Sequence, residues 1–458
     1  MRAACGAGLA VVCLLALGGC DSGDLTGGPA RSGRAAAVKP WAKRLSPEEA
    51  RRAGSTGPLL PFLSALDAIE SGRLDDPVSV IQIGDSHSFS DFLSGHMREL
   101  LQQRFGAAGR GMLPPGVAGR YYRPELVTAA QSEGWQRISA DKARGGPFGL
   151  AGLIQETAQA DERMSLGAAE EAGFDRAFVE ILRHPGGGSL RVQIDDMAPQ
   201  TIAGGGDKTI ADWIALDAPR HSRTLSLAAA GDGSVDVLAW GIQRQQRGVL
   251  YENFGTIGAT VGIIGHWDPA VIAGELARRT PALLIIAFGT NEGFENPADL
   301  GGYAERFAAR VSELAAAAPQ AAILVVAPPD GNRRYRVAAG TAPGCVEAPP
   351  GAAPPAAPVR QGAHRMRQEH AFVWAPPPGL ALVREAQRQV AEAQGWYYWD
   401  WSEAMGGACS MYRWALQDPP LGGEDHIHLR AAGYRLTADK LFATLMEEYR
   451  RYRSRPTS

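Results

Sequence analysis

The sequence has no excess of positive charge, which limits the partners we expect. Its 458 residues include 46 Lys and Arg against 49 Asp and Glu, a formal net charge of -3. Proteins that bind polyanions usually show a basic balance or a basic patch, so we expect no nucleic-acid partner. A hydrophobic fraction of 45% with 21% charged residues is ordinary for a globular protein. A chain of this length favours two structural units over one core.

The apolar run near the N-terminus is too short to cross a bilayer. It covers Gly8 to Leu17 after the positive Arg2, whereas a spanning helix needs about 20 residues. A short apolar run behind a positive start is typical of a secretory signal. The tetrapeptide ending in Cys20 (Leu-Gly-Gly-Cys) resembles a bacterial lipobox, which implies cleavage before Cys20 and a lipid on its sulfur. We therefore predict that residues 1–20 are a lipoprotein signal peptide.

This prediction places the protein in the periplasm, attached to a membrane through its lipid anchor. The inner and the outer membrane both stay open. The alternative is an ordinary signal peptide with a chance cysteine.

Cysteine is scarce, and most of it lies at the N-terminus. Of the five cysteines, Cys5 and Cys13 would leave with the signal peptide and Cys20 would carry the lipid. Only Cys345 and Cys409 then remain as thiols. Because an even pair in an oxidising compartment favours a disulfide, we predict that these two residues are bonded to each other.

Sequence periodicity divides the rest of the chain into four segments. Residues 21–58 are rich in Gly, Ala, Ser and Arg without a sustained apolar period, which predicts a flexible tether. Helix, strand and helix are expected at Pro61–Ile69, Val78–Ile83 and Asp91–Phe105. Between about Tyr121 and Gln245, short strand-like segments separated by Gly, Asp and Pro indicate a jelly-roll-like β-sandwich.

Alternation of strands and helices resumes after residue 245. Strands are expected at Leu283–Phe288, Ala321–Val326 and Trp396–Trp401, and helices at Tyr303–Ala317, Leu380–Gln394 and Ala431–Tyr449. This alternation predicts an α/β fold with a mostly parallel, covered sheet. Residues 59–120 and 246–458 would form one domain, interrupted by the sandwich at 121–245. The Pro-rich stretch within Gly331–Pro378 predicts a long surface loop.

The segment Gly84-Asp85-Ser86-His87 directly follows the apolar strand Val78–Ile83. A serine at the carboxyl end of such a strand is a candidate nucleophile, but it needs a base to take its proton. His428 is the best candidate for this base, because Asp425 lies three residues earlier, a spacing that brings two side chains together on a helical turn. Asp425 would fix the tautomer of His428 and leave Nε2 facing Ser86. His426 is out of phase with Asp425 and is left out.

An oxyanion formed at Ser86 needs preorganised hydrogen-bond donors. The backbone N–H of Ser86 and the side-chain amide of Asn291, after the strand Leu283–Phe288, are two candidates. A glycine N–H in the stretch Asn253–Thr260 is the third. Because ligands of open α/β sheets bind beyond the carboxyl ends of the strands, these groups could meet in one crevice.

The order of these motifs resembles the SGNH (GDSL) hydrolase superfamily. Its four namesake residues match Ser86, Gly258, Asn291 and His428, so Gly258 is the implied oxyanion glycine. More closely, Ile83-Gly-Asp-Ser-His87, Gly289-Thr-Asn-Glu292 and Trp401 to Gly407 are similar to bacterial peptidoglycan O-acetylesterases and related O-acetyltransferases. These carry an inserted β domain like a carbohydrate-binding module, and the similarity spans roughly Pro77 to Leu441.

The resemblance implies a three-layer SGNH-type fold and a serine esterase that removes acetyl groups from a cell-wall glycan, expected to be peptidoglycan. It implies no cofactor. His87, His426 and His428 show no convincing ligand spacing for a metal, and none is predicted.

Three alternatives stay open. An O-acetyltransferase would use the same acyl-enzyme, and a glycan-binding lipoprotein without activity would retain only the fold. Ser86, Asp425 and His428 taken singly also fit a turn serine, a helix-capping aspartate and a surface histidine.

Overall fold

A computed structural model of the protein describes residues 57–143, 146–169, 173–338, 344–345 and 370–454. The predicted signal peptide, its Cys20 and residues 21–56 of the predicted tether lie outside these ranges, as does the Pro-rich stretch 348–358. Within them, none of the helices has both the length and the apolar character that a bilayer span requires.

The described chain opens with a helix, a strand and two more helices. They are α1 Leu60–Glu70, β1 Val78–Gly84, α2 Ser86–Phe89 and α3 Phe92–Phe105. Every residue of β1 is buried, as expected of a parallel strand covered on both faces. The three predicted elements are present with bounds shifted by one residue, and α2 is a single additional turn that begins at Ser86.

Two antiparallel sheets follow in the chain. Their strands are β2 Gly109–Leu113, β3 Val127–Gln131, β4 Gln136–Ser139, β5 Leu153–Thr157, β6 Arg163–Ala168, β7 Phe174–Arg183, β8 Ser189–Ile194, β9 Gln200–Ala203, β10 Ile210–Ser222, β11 Thr224–Ala229 and β12 Val235–Gln243. One sheet has the order β10-β7-β12-β5-β4 with β2 also paired to β12, and the other has the order β3-β6-β11-β8-β9. Strand β2 lies before residue 121, while the sandwich boundaries at 121 and 245 and the likeness to a carbohydrate-binding module stay predictions.

The remaining elements are β13 Val249–Gly255, α4 Pro269–Arg279, β14 Leu283–Ala287, α5 Thr290–Gly293, α6 Tyr303–Ala317, β15 Ala322–Val326, β16 Arg333–Ala338, β17 His370–Ala375, α7 Pro378–Gln394, β18 Tyr397–Trp399, α8 Trp401–Met405, α9 Ser410–Leu416 and α10 Ala431–Arg453. Single 3-10 helices cover Val261–His266 and Pro297–Leu300. Five strands form a wholly parallel sheet in the order β13-β1-β14-β15-β18.

This parallel sheet is the middle of three layers. Side chains on one of its faces pack with α1, α3 and α10, in a cluster that includes Val80, Leu66 and Leu441. The other face packs with α4, α6 and α7, and Phe178 and Leu238 of the sandwich join the same cluster. The α/β three-layer prediction is therefore confirmed, and the two sheets of the sandwich enclose a further core of their own.

Two sequence predictions were wrong in detail. The expected loop Gly331–Pro378 forms strands at both of its ends, because β16 and β17 pair as an antiparallel hairpin. The expected strand Trp396–Trp401 ends at Trp399, because the Asp400 carboxylate accepts a hydrogen bond from the backbone N–H of Glu403 at 2.9 Å and thereby caps α8.

A buried ion pair connects the sandwich to the α/β layers. Asp91 accepts hydrogen bonds from Arg98 of α3 at 2.9 Å and from Arg110 of β2 at 3.2 Å, and all three side chains are almost completely buried. Burial alone would raise the pKa of Asp91, but the two guanidinium groups outweigh it and hold this pKa well below its usual range. Asp91 therefore stays ionised where the first sandwich strand leaves α3.

Candidate active site

Ser86 lies at the carboxyl end of β1, where it begins the one-turn helix α2. Asp85 caps this helix, since its carboxylate accepts a hydrogen bond from the backbone N–H of His87 at 3.0 Å. The turn before it requires glycine at position 84: a Cβ there would lie 2.4 Å from Ser88 Oγ and 2.6 Å from the carbonyl oxygen of Ala287. The neighbouring strand β14 therefore approaches β1 closely at the point where the serine emerges.

His428 and Asp425 form a continuous hydrogen-bonded chain with Ser86. The Oγ of Ser86 lies 2.9 Å from Nε2 of His428, and Nδ1 of His428 lies 2.7 Å from Oδ2 of Asp425. The other oxygen of Asp425 accepts hydrogen bonds from the backbone N–H groups of Ile427 at 3.0 Å and His428 at 2.9 Å. Asp425 thus holds both the imidazole and the loop that carries it.

The two ends of this pair have opposite pKa shifts. The hydrogen bond to Asp425 raises the pKa of His428 above 6.5, against the effect of partial burial. Burial would raise the pKa of Asp425, but its hydrogen bonds from His428 and the backbone hold that pKa well below the usual range. The carboxylate is therefore always charged near neutral pH, as a group that orients a histidine must be.

His426 points away from this pair. Its φ of 56° turns the backbone into the left-handed region between Asp425 and Ile427, and its ring stacks on Trp374 of β17 with centroids 3.9 Å apart. The backbone N–H of Asn332 also donates to the His426 carbonyl at 2.8 Å. These contacts fix the β16–β17 hairpin against the loop that carries His428.

The expected disulfide lies on the same side of the molecule. Cys345 and Cys409 are bonded with an S–S distance of 2.08 Å. The backbone N–H of Cys345 donates to the Trp374 carbonyl at 2.7 Å, so the bond connects the hairpin region to the start of α9.

The candidate oxyanion donors come from the two strands next to β1. Asn291 is the second residue of α5, after β14, and its Nδ2 donates to the Ala259 carbonyl at 2.8 Å. Gly258 lies in the turn after β13 with a φ of 73°, a conformation that favours glycine. A Cβ at Gly258 would meet no heavy atom within 4 Å, so the backbone conformation supplies a reason for this glycine that the sequence did not show.

The turn that carries Gly258 is tied to the strand that carries Ser86. The backbone N–H of Thr256 donates to the Gly84 carbonyl at 2.9 Å, and that of Ala259 donates to the Thr256 carbonyl at 3.2 Å. In the parallel register, Gly84 lies between Gly255 of β13 and Ala287 of β14. The structure thus gathers the segments that carry Ser86, Gly258 and Asn291 at one edge of the sheet.

Two buried carboxyl groups beneath the site had no assigned role in the sequence analysis. Burial raises the pKa of Asp85 to about 6 and that of Glu292 to about 7. Glu292 accepts a hydrogen bond from the backbone N–H of Val261 at 2.8 Å, and Asp85 is hydrogen-bonded by Thr290. Their positions beside Ser86 and Asn291 in the two motifs were the available signal, and their hydrogen bonds show that they brace the loops.

His87, directly after the serine, is also buried. Its ring centroid lies 5.2 Å from that of His428 and 5.3 Å from that of Trp401. Burial, assisted by His428, lowers the pKa of His87 to about 3, so this imidazole is neutral. Across the described ranges, no group of three or more His, Cys, Asp or Glu side chains is arranged to hold a metal ion.

The fold and the site define the class of protein. Residues 221–436 match the model of the GDSL-like Lipase/Acylhydrolase family, a range that contains Gly258, Asn291, Asp425 and His428 and begins after Ser86. The chain therefore carries a domain of this family and is a carboxylic ester hydrolase.

Solved structures share this fold. A peptidoglycan O-acetylesterase, captured "in action", is 24% identical over 85% of this chain and 96% of its own, with a TM-score of 0.66. A family two carbohydrate esterase from Clostridium thermocellum in complex with cellohexaose is 15% identical over 64% of this chain and 94% of its own, with a TM-score of 0.26. No curated protein matches the chain.

Proposed function

We propose that this protein is a serine esterase that removes O-acetyl groups from a cell-wall glycan, and that peptidoglycan is its polymer. The observation that carries the proposal is the hydrogen-bonded chain from Ser86 through His428 to Asp425, with links of 2.9 Å and 2.7 Å. The shared fold with a peptidoglycan O-acetylesterase supports the choice of substrate.

In the proposed reaction, Ser86 Oγ attacks the acetyl carbonyl carbon while Nε2 of His428 takes its proton. The resulting oxyanion is stabilised by the backbone N–H groups of Ser86 and Gly258 and by the Asn291 amide, each donor contributing roughly 10² to 10³ in rate. His428 then protonates the sugar oxygen, which leaves with its electron pair as the acetyl–oxygen bond breaks. Water, deprotonated by His428, releases acetate from Ser86 in the second half of the cycle.

The openness of the site supports hydrolysis over acetyl transfer. The side chains of His428 and Asp425 are 44% and 49% exposed, so water has access to the base that would activate it. A transferase using the same acyl-enzyme must keep water away from that base. An acetyl donor supplied together with a glycan acceptor would distinguish the two reactions: free acetate favours the esterase, and acetylated acceptor favours the transferase.

We further propose that the esterase works in the periplasm as a lipoprotein. The support is the N-terminal sequence: a positive start, a short apolar run and the lipobox-like segment that ends at Cys20. Metabolic labelling with a fatty-acid analogue should mark the wild-type protein, and Cys20→Ala should abolish that label.

The central test is Ser86→Ala. This variant should lose acetate release from O-acetylated peptidoglycan by at least about 10³-fold, because no other group can form the acyl intermediate. Ser90→Ala is the matched control: it lies four residues later, and its hydroxyl has no hydrogen-bond partner within the described residues. Ser86→Ala should also abolish labelling by a fluorophosphonate. An unlabelled wild-type protein would instead favour a glycan-binding protein without activity.

A further inference from the structure

A cleft lies between the sandwich and the carboxyl end of β13. Its volume is about 200 Å³, and one wall is formed by Gly255, Thr256 and Ile257 at the start of the turn that leads to Gly258. The opposite wall comes from β4 and the turn after it. We call this space the sandwich cleft.

The sandwich cleft borders the helix that carries Ser86. Phe89 lines it, and Phe89 is the last residue of α2, which begins at Ser86. Residues three apart on a helix lie on the same face, with Cβ atoms about 5–6 Å apart. Phe89 also belongs to the core between the two sheets of the sandwich. The sandwich therefore reaches the nucleophile's helix directly.

Two cations reach the cleft from the sandwich. Arg137 of β4 is held in place because its Nη1 donates to the Ala118 carbonyl at 2.6 Å. Lys142 lines the cleft beside it, and its ammonium pairs with no carboxylate among the described residues. The single carboxylate that lines the cleft, Asp141, accepts a hydrogen bond from the Ser139 hydroxyl. Two cations against one engaged carboxylate leave a net positive charge in the cleft.

The rest of the lining is largely apolar. Phe89 and Leu153 are each 6% exposed, and Ile257 is 46% exposed at the rim. An aromatic and aliphatic wall suits the apolar face of a sugar ring, while a charged substituent of that ring can reach the two cations. A small inorganic anion would make no use of this wall.

We propose that the sandwich cleft binds a carboxylate-bearing sugar of the acetylated glycan, with Arg137 and Lys142 paired to the carboxylate and the ring packed on Phe89 and Ile257. This inference rests on the proposed function and names the chemical class of its substrate. It makes the sandwich part of the active site, because binding in the cleft orients the neighbouring acetyl ester towards Ser86.

The test compares two acetylated sugars that differ only in the carboxylate. O-acetylated N-acetylmuramic acid carries a lactyl carboxylate, and N-acetylglucosamine acetylated at the same hydroxyl lacks it. With the double variant Arg137→Gln, Lys142→Gln, KM for the muramic acid ester should rise about tenfold, as expected for losing two partly exposed charge pairs. KM for the glucosamine ester should not change. Lys208→Gln, the same charge change on an exposed sandwich residue outside the cleft, should alter neither.

A neutral ester, 4-nitrophenyl acetate, separates this inference from the proposed function. The double variant should turn it over like the wild type, while Ser86→Ala should not turn it over at all. Equal changes in KM for both sugars, or no change for either, would overturn the cleft as a carboxylate site while leaving the esterase intact.

The wild-type protein provides a second measurement if the double variant fails to fold. Amidation of the lactyl carboxylate should raise KM by a similar factor, and raising the salt concentration should reduce the difference between the two sugars. A preference for the muramic acid ester that survives amidation would contradict the proposal.

Discussion

The hydroxyl of Tyr434 lies 2.9 Å from Nδ1 of His87, deep beneath the active site. The same hydroxyl is hydrogen-bonded by the backbone of Leu429. Tyr434 of α10 therefore joins the residue that follows Ser86 to the residue that follows His428. Both ring side chains are almost completely buried, so each depends on the other for a polar partner.

This relationship predicts coupled stabilities. His87→Leu and Tyr434→Phe should each lower the free energy of unfolding by about 1–3 kcal/mol, because each leaves a buried polar group unpaired. The double variant should lose less than the sum of the two, by about 0.5–3 kcal/mol. Urea unfolding of the four proteins gives the coupling directly. Strictly additive losses would mean that the two side chains act independently.

Asp425→Asn should reduce kcat/KM by roughly 10³ to 10⁴, because an amide cannot hold His428 in the required tautomer or stabilise its cation. His428 must be neutral to accept the proton from Ser86. Since Asp425 raises the pKa of His428, the wild-type rate should fall as the pH drops through that raised value. The residual activity of Asp425→Asn should persist to lower pH.

The pH dependence of kcat/KM measures both effects. Glu424→Gln is the control, since it removes the neighbouring carboxylate, which is 93% exposed and pairs with Arg430. An acid limb in Asp425→Asn that coincides with that of the wild type would contradict the assigned role of this carboxylate.

Gly255→Ala should damage catalysis without touching a polar group. The added Cβ would lie 2.3 Å from the backbone nitrogen of Phe89, so the backbone of α2 must move, and Ser86 with it. A displacement of about 1 Å at a reacting group can cost roughly 10²-fold in rate. At Gly301 an added Cβ would meet no atom within 4 Å and φ is -52°, so Gly301→Ala should leave kcat within about twofold. A fully active Gly255→Ala enzyme would show that α2 tolerates the shift.

Asp91→Asn should be strongly destabilising. It leaves Arg98 and Arg110 buried without their counter-charge, a loss expected to cost about 3–5 kcal/mol. Asp75→Asn removes a carboxylate that pairs with Arg247 at 2.6 Å but is 87% exposed, so its cost should stay below about 1 kcal/mol. Equal midpoints of the two variants in urea would contradict the buried pair.

The sign of the pH effect at Asp91 follows from its lowered pKa. A carboxylate with a lowered folded-state pKa stabilises the protein above its unfolded pKa of about 3.9, and this contribution is lost as the pH falls towards the folded value. The difference in stability between wild type and Asp91→Asn should therefore be complete at neutral pH and shrink below about pH 4.

Local sequence patterns determined which elements form. β1 was predictable because Val78 to Ile83 is an almost unbroken apolar run, and such a run is stable only when a parallel sheet buries both of its faces. The sandwich strand β8 was predictable for the opposite reason, since Leu190, Val192 and Ile194 alternate with partly exposed residues. The pairing of Ser86 with His428 was expected because Asp425 precedes that histidine by three residues.

Contacts between distant segments could not be predicted in this way. The hairpin of β16 and β17 was expected to be a loop, because its strands are separated by a Pro-rich stretch and only their pairing defines them. The reason for glycine at position 255 lies in the backbone of Phe89, more than 150 residues earlier in the chain. The sandwich cleft unites Arg137 and Lys142 with Phe89 and Ile257, which no local pattern connects.

The sequence by itself therefore determined the α/β class, the chemical types at the active site and the roles they imply, because hydrophobic periodicity and motif spacing act over a few residues. Only the tertiary structure decided how far the site extends. The neutral state of His87, the buried charge of Asp91 and the position of the sandwich beside Ser86 all depend on desolvation and close packing, which arise when segments far apart in the chain exclude water from one another.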